Sequence, residues 1–512
     1  MKNLTHFLAT TAFFSLIAVS YLTKTPQNSP GIVPSDSSRI TIDTVSSGLN
    51  VPWEMIWGPD NFLWITEQSG TISRLNPQTG KKHELIRIKE VYRNRSLGLL
   101  GMAMHPDFAK NPYIYVDYTS LKDAETIVCK LVRYTFQNNQ LTSPKLLLEF
   151  PANTGHNGSR IVISPDKKLM FATGDAASLT NAQDINSLNG KVLRINLDGS
   201  VPSDNPIKGS FVWSLGHRNI QGLAYAPNGI LYASEHGDAT EDELNIIEKG
   251  KNYGWIRVEG FCDQPGEKPF CDSVKVTEPI KAWTPTIAPA GITFYSNTSI
   301  PEWTNSILLT TLKDSDLRVI KMDQSGTKVT SEDIYFDNIF GRLRSVCQAP
   351  NGDIYLATSN RDWNPGKGFP KSSDDMIIRI RQTKTGKLLS TYLRKSPGLI
   401  ASDDKDRSGK EIYRLYCASC HKENGLGVAG TFPPLKNAEQ VSGPKRDFLK
   451  ILLKGLKGEI VVLDKKYDQH MPEFSFLKDH EISDVANYVR QNFGRNTEKI
   501  ETSDVTAARQ SK

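Results

Sequence analysis

The 512-residue sequence lacks long hydrophobic runs, abundant cysteine and any strong excess of charge. Its longest apolar stretch, Phe7 to Leu22, has 16 residues, 12 of them apolar, short of the ~20 that a spanning helix needs. A multi-span membrane protein is excluded. Six cysteines are too few for a disulfide scaffold of this size. Lys+Arg at 62 against Asp+Glu at 56 leaves a net charge of +6. That is too thin for the clustered basic face of a nucleic-acid binder, so no such partner is expected. Tryptophan is missing after Trp363, and Met471 is the one methionine after Met376. These last two absences divide the chain.

The apolar run follows Lys2 and ends near Ala18-Val19-Ser20, the layout of a secretory signal. The alternative is an uncleaved anchor, giving membrane attachment through residues 1–30. Either way the body of the protein is expected outside the cytoplasm, in the periplasm or an equivalent compartment.

One phrase recurs along residues 36–385: a turn of Pro, Asp, Asn or Gly, then an aromatic and β-branched run, then a second strand. Its copies are GPDNFLWITE (58–67), HPDFAKNPYIYVDYTS (105–120), SPDKKLMFATGD (164–175), APNGILYASEHGD (226–238), NSILLTTLKDSD (305–316) and APNGDIYLATSNRD (349–362). Alternating runs bounded by turn signals predict hairpins, and six copies predict a six-bladed β-propeller. Arg39 to Val45 is expected to complete the last blade and leave no free edge.

After a polar linker, 386–405, the apolar period becomes helical: Phe448, Ile451, Leu452 and Leu456, then Ile482, Val485, Ala486 and Val489. This predicts a small all-α domain over 406–495 and a polar tail over 496–512. Cys417-Ala418-Ser419-Cys420-His421 is C-x-x-C-H, the c-type haem attachment motif. Two thiols on one helical turn can bond one haem's vinyl groups, and His421 then ligates the iron. Met471 is the expected sixth ligand, which raises the reduction potential; His470 and His480 are its rivals. The stretch resembles a class I cytochrome c domain.

Three propeller segments carry more polar specificity than blade corners need: Asn153 to Arg160 around His156, Leu215 to Gly222 with His217, Arg218 and Asn219, and Glu235 to Asn245, followed by Asn252-Tyr253-Gly254-Trp255. With Lys313, Arg342 and Arg344 they resemble the soluble quinoprotein glucose and aldose sugar dehydrogenases, six-bladed propellers that bind pyrroloquinoline quinone (PQQ) and Ca²⁺. The residue types suit that chemistry. PQQ carries three carboxylates, and arginine forks match carboxylates. The resemblance implies that Arg218, Lys313, Arg342 and Arg344 hold PQQ, with Arg218 and Asn219 on the quinone oxygens. It places the main-chain carbonyls of Gly237 and Asp238 on Ca²⁺, which prefers oxygen ligands; the glucose enzymes carry Pro at 238. It makes His156 the general base, a role that an imidazole pKa near ~6.5 suits.

The sequence departs from those enzymes at Gly155, where they place an Asp before the catalytic His, and at Ser96 and His236, where they place Gln. Cys262 and Cys271 bracket a Pro/Gly loop and are expected to form a disulfide. Cys129 and Cys347 read as buried thiols, with a bridge between them the alternative. The expected function is oxidation of an aldose at C1 to the lactone, with hydride transfer to PQQ and single-electron transfer to haem c. A soluble cytochrome or terminal oxidase would then accept the electrons. The alternatives are a metal-dependent lactonase and a cofactor-less binding propeller carrying a redox-active cytochrome.

Overall fold

A computed structural model describes residues 38–394, 407–495 and 498–510. The N-terminal apolar run and most of the linker lie outside them. Among the described residues no helix is long and apolar enough to cross a membrane.

The propeller has six blades, whose first strands are Pro52–Trp57, Leu99–Met104, Gly158–Ile163, Ile220–Tyr225, Pro289–Tyr295 and Leu343–Gln348. Each first strand packs on those of both neighbouring blades, so the six form a closed ring around the axis. Every recurring phrase supplies the second strand of a blade. Five of these strands, Leu63–Glu67, Leu169–Thr173, Leu231–Glu235, Ser306–Thr311 and Ile354–Thr358, are buried along their whole length. They depart from simple alternation because each is sandwiched between neighbouring blades and has no wet face.

The N-terminal strand Arg39–Ser46 closes the ring as expected. It pairs antiparallel with Ile377–Gln382, with Ile42 opposite Ile380. A fifth strand, Lys387–Leu388, then adds to its outer side. The disulfide Cys262–Cys271 forms in the insertion between the last two strands of blade four. Cys129 and Cys347 are separate buried thiols in blades two and six.

The C-terminal part is mostly helical, with one short hairpin, Ile460–Val462 against Lys465–Tyr467. Ser408 and Glu411 form a capping box that starts the helical stretch leading to the Cys pair. Helix Lys445–Lys454 buries Phe448, Leu449, Leu452 and Leu453. Its predicted stripe, Phe448, Ile451 and Leu452 with Leu456 just beyond the helix, lines an apolar cavity. Helix Asp479–Phe493 buries Ile482, Val485, Ala486 and Val489. The expected polar tail is not a tail. Residues Thr502–Gln510 form a helix anchored by buried Ile500 and Val505 and by a 2.9 Å Lys445–Asp504 ion pair. Its buried apolar residues, Ile500, Val505 and Ala508, are too few to stand out as a stripe in the sequence.

Candidate active site

The residues assigned to PQQ, Ca²⁺ and the base, His156, Arg218, Asn219, Gly237, Asp238, Lys313, Arg342 and Arg344, lie at one end of the ring. In an antiparallel blade the start of the first strand and the end of the second share an end. Arg218 and Asn219 precede a first strand, His156 lies just before one, and Arg344 lies within one. Gly237, Asp238 and Lys313 follow second strands. Together they line a cleft of about 840 Å³.

His156 has φ +53°, a turn allowed because Gly174 lies against its carbonyl, where any side chain would collide. Its Nδ1 lies 3.0 Å from Asp175 Oδ1. Asp175 is buried and also accepts Ala177 N–H at 2.8 Å and Trp255 Nε1–H at 2.7 Å. A carboxylate on Nδ1 fixes the tautomer with the proton there, so Nε2 is the nitrogen able to take one. Two other histidines of the singled-out segments are committed elsewhere. His217 is fully buried between Ser214 and Glu235. His236 Nε2 donates to the Pro289 carbonyl at 2.9 Å. Burial and the charges of Arg218 and Arg344 push its pKa down to about 3.

The cations form a connected set. Arg344 reaches Gln221 Oε1 and Asp362 Oδ2, each at 2.8 Å. Arg342 lies 3.4 Å from the same Asp362 oxygen. Burial alone would raise the Asp362 carboxyl, but Arg344 and Arg342 outweigh it and hold it low. Arg218 pairs with Asp238 at 2.8 Å and lies over the Trp255 ring. The Nε–H groups of Arg218, Arg342 and Arg344 are buried without a partner. A buried donor left unmade is costly, so this set fits a ligand with several anionic oxygens. Lys313 donates to Thr286 Oγ1 at 2.8 Å and to the Leu415 carbonyl at 3.0 Å, reaching the helix that carries the Cys pair. At Gly237 a side chain would run into the Thr240 carbonyl, and the bare backbone borders the cleft. Its N–H donates to buried Asp242 at 2.8 Å. Main-chain carbonyl oxygens bordering the cleft at this point would suit a hard cation.

The second cavity lies in the C-terminal part. Cys417, His421 and Met471 border it, with an almost wholly apolar lining that includes Leu435, Phe448, Ile451 and Leu456. His421 Nδ1 donates to the Pro433 carbonyl at 2.9 Å, leaving Nε2 with its lone pair. Burial lowers its pKa, keeping the ring neutral as a metal ligand needs. Met471 is pinned by a reciprocal backbone pair with Leu456, 2.9 and 3.0 Å. Cys420 lies on the same turn as Cys417, its sulfur 3.9 Å from Ser419 Oγ. His470 instead lies 3.4 Å from Asp238. A flat apolar macrocycle with an axial His and Met fits this set.

The profile of the Glucose / Sorbosone dehydrogenase family matches residues 49–364, and that of Cytochrome c matches residues 407–493. The chain belongs to the glucose/sorbosone dehydrogenase family. Quinoprotein glucose dehydrogenase B of Acinetobacter calcoaceticus is 30% identical over 481 residues, covering 76% of this chain and 99% of that protein. The PQQ-bound aldose sugar dehydrogenase of Streptomyces coelicolor has a TM-score of 0.59 at 33% identity, covering 67% of this chain and 98% of that one. Cytochrome c-552 of Thermus thermophilus is 41% identical over 90 residues, 17% of this chain and 68% of that protein. Family membership makes the protein an oxidoreductase with an attached electron-transfer domain.

The supports of these residues have no sequence signal. Asp175 is the last residue of the third recurring phrase and Asp362 the last of the sixth, and the pattern assigns neither a role. Trp255 of the NYGW segment was singled out, but its bond to Asp175 is visible only in three dimensions.

Proposed function

We propose that this protein is an extracytoplasmic quinohaemoprotein that oxidises an aldose at C1 to the lactone and passes the electrons to its own haem. One observation carries the reading. A single helical turn borders both cavities: Ala418 and Ser419 line the propeller cleft, while Cys417 and His421 line the apolar cavity behind it. The C-terminal part is seated over the cleft by Lys313 to the Leu415 carbonyl, Asn364 to the Ser419 carbonyl at 3.2 Å, and a 2.7 Å Lys367–Glu423 pair.

When bound, PQQ with Ca²⁺ supplies a two-electron acceptor and haem c a one-electron relay. The protein's own residues do the rest. Arg344, Arg342, Lys313 and Arg218 bind the carboxylates and quinone oxygens of PQQ, with Asn219 beside Arg218. The carbonyls of Gly237 and Asp238 hold Ca²⁺. Cys417 and Cys420 attach the haem, and His421 and Met471 ligate its iron. His156 Nε2 takes the proton of the C1 hydroxyl. Asp175, steadied by Trp255 and Ala177, holds Nδ1–H and stabilises the imidazolium that forms. Asp175 thereby does the orienting that the glycine at 155 cannot. The electrons leave to a soluble cytochrome or a terminal oxidase. The lactonase alternative leaves the cationic set of Arg218, Lys313, Arg342 and Arg344 and the C-x-x-C-H motif without a role.

The test adds PQQ and Ca²⁺ to the haem-loaded protein and follows haem reduction with a panel of aldoses and alcohols. Aldose-dependent haem reduction is expected, slowed ~10²–10⁴-fold in His156→Ala. A haem that stays oxidised with every sugar overturns the reading.

A further inference from the structure

The cleft above His156 has two walls, and only one belongs to the propeller. The other is the segment after the haem-attachment turn, where Lys422, Glu423, Asn424, Thr431 and Phe432 line the same space. That segment is fastened in place. Lys422 bonds Asn364 Oδ1, Glu423 pairs with Lys367, and Arg95, from the loop beside Ser96, reaches across to the Gly430 carbonyl.

Two large aromatics meet at this seam. The Phe432 ring lies 5.8 Å from that of Trp363 at an interplanar angle of 44°. Both are half-buried, both line the cleft, and neither belongs to a hydrophobic core on its own side. Together the two rings give a polar cleft a flat apolar surface. They suit a ligand with one apolar face and a polar perimeter. A pyranose is such a ligand, since its axial C–H bonds form a flat apolar face ringed by hydroxyls. Asn424, beside them, accepts Leu426 N–H on Oδ1 at 3.1 Å, which leaves its amide NH₂ as a donor for a hydroxyl.

We infer that the haem-bearing domain also builds the outer wall of the sugar site. Phe432 seats the apolar face of the ring and Asn424 reads its hydroxyls, so the C-terminal domain selects substrate as well as taking electrons. This rests on the aldose-oxidation reading above.

The experiment uses full-length protein loaded with haem, PQQ and Ca²⁺. KM is measured for an aldose panel with an external dye as final acceptor. Direct binding is measured by calorimetry with 1,5-anhydro-D-glucitol, a pyranose without the anomeric hydroxyl. Phe432→Ala and Asn424→Ala are each expected to raise KM and the calorimetric Kd roughly tenfold and to reorder the sugars. Phe432→Leu, which keeps bulk but loses the flat face, should weaken binding as well. If Phe432→Ala fails to fold, exposed Asn424 decides the matter. Wild-type KM and Kd in folded variants, when the parent oxidises aldoses, overturn the inference alone. A parent that oxidises no aldose overturns the functional reading and this inference with it.

Discussion

Replacing Asp175 by Asn tests the His156 assignment without touching its imidazole. Oδ1 of Asp175 accepts two N–H groups, from His156 and Ala177, whereas Oδ2 accepts one, from Trp255. An Asn therefore turns its NH₂ toward Trp255, where one donor pair conflicts, and keeps its oxygen on His156. The tautomer survives, and what is lost is the negative charge that steadies the imidazolium. Nδ1 and Oδ1 are 3.0 Å apart. With charge centres about 4 Å apart and an effective dielectric of ~20, the attraction is about 4 kcal/mol. That sets a ceiling near 10³ on the rate effect, so a fall of ~10²–10³ is expected. Stopped-flow absorbance of the reconstituted protein separates sugar-driven cofactor reduction from the later reduction of haem. The first should slow by this factor at saturating sugar and the second should not. Asp175→Asn in a His156→Ala background should cost little more than His156→Ala alone, because the two act as one unit. A loss below about threefold, or fully additive losses, would refute the pairing as the base.

Three further outcomes are expected. Met471→Ala should abolish the weak near-infrared sulfur–iron band of the oxidised haem and lower its potential; a surviving band would assign the ligand elsewhere. Arg344→Ala should weaken PQQ binding by about tenfold to a hundredfold, the worth of one charge-assisted contact of ~1.5–3 kcal/mol, and an unchanged PQQ titration would move the site. Burial pushes the carboxyl of Asp117 in blade two up to about 7, against bonds from Ser159 and Gly101. Its folded pKa lies above the unfolded ~3.9, so its stabilising share is full below pH ~4 and is lost as pH rises through 7. Asp117→Asn, which keeps an acceptor for the Gly101 N–H at 2.9 Å, should match the wild type near pH 4. By pH 8 it should be more stable by up to about 4 kcal/mol. A pH-independent difference between the two melting curves would contradict this.

The ring was legible because each blade repeats the same turn and second strand, and because Arg39 to Val45 had no other partner. The clustering of the site was legible too, since phrase ends and first-strand starts share one face. The supports were not. Asp175 and Asp362 look like ordinary turn residues, and their roles come from contacts with residues up to 80 positions away. Both C-terminal stripes were legible: Phe448, Ile451, Leu452 and Leu456 line one apolar cavity, and Ile482, Val485, Ala486 and Val489 are buried. The helix at Thr502–Gln510 escaped because most of it is polar and it docks through a few small apolar side chains and ion pairs.

The seam that closes the ring also sets an order of events. Strand Arg39–Ser46 leaves the nascent chain early, yet its partner Ile377–Gln382 comes some 340 residues later. Joining ends that far apart costs about 5 kcal/mol of chain entropy, and nothing repays it until the sixth blade exists. The first strand must therefore wait as an open edge while five blades form. The exit toward the C-terminal domain, Lys387–Leu388, is hydrogen-bonded to that same strand. Ring closure and the anchoring of the C-terminal domain's tether are thus one event. A chain truncated before the sixth blade would lose both together, and its waiting edge would be the place where neighbouring copies begin to aggregate.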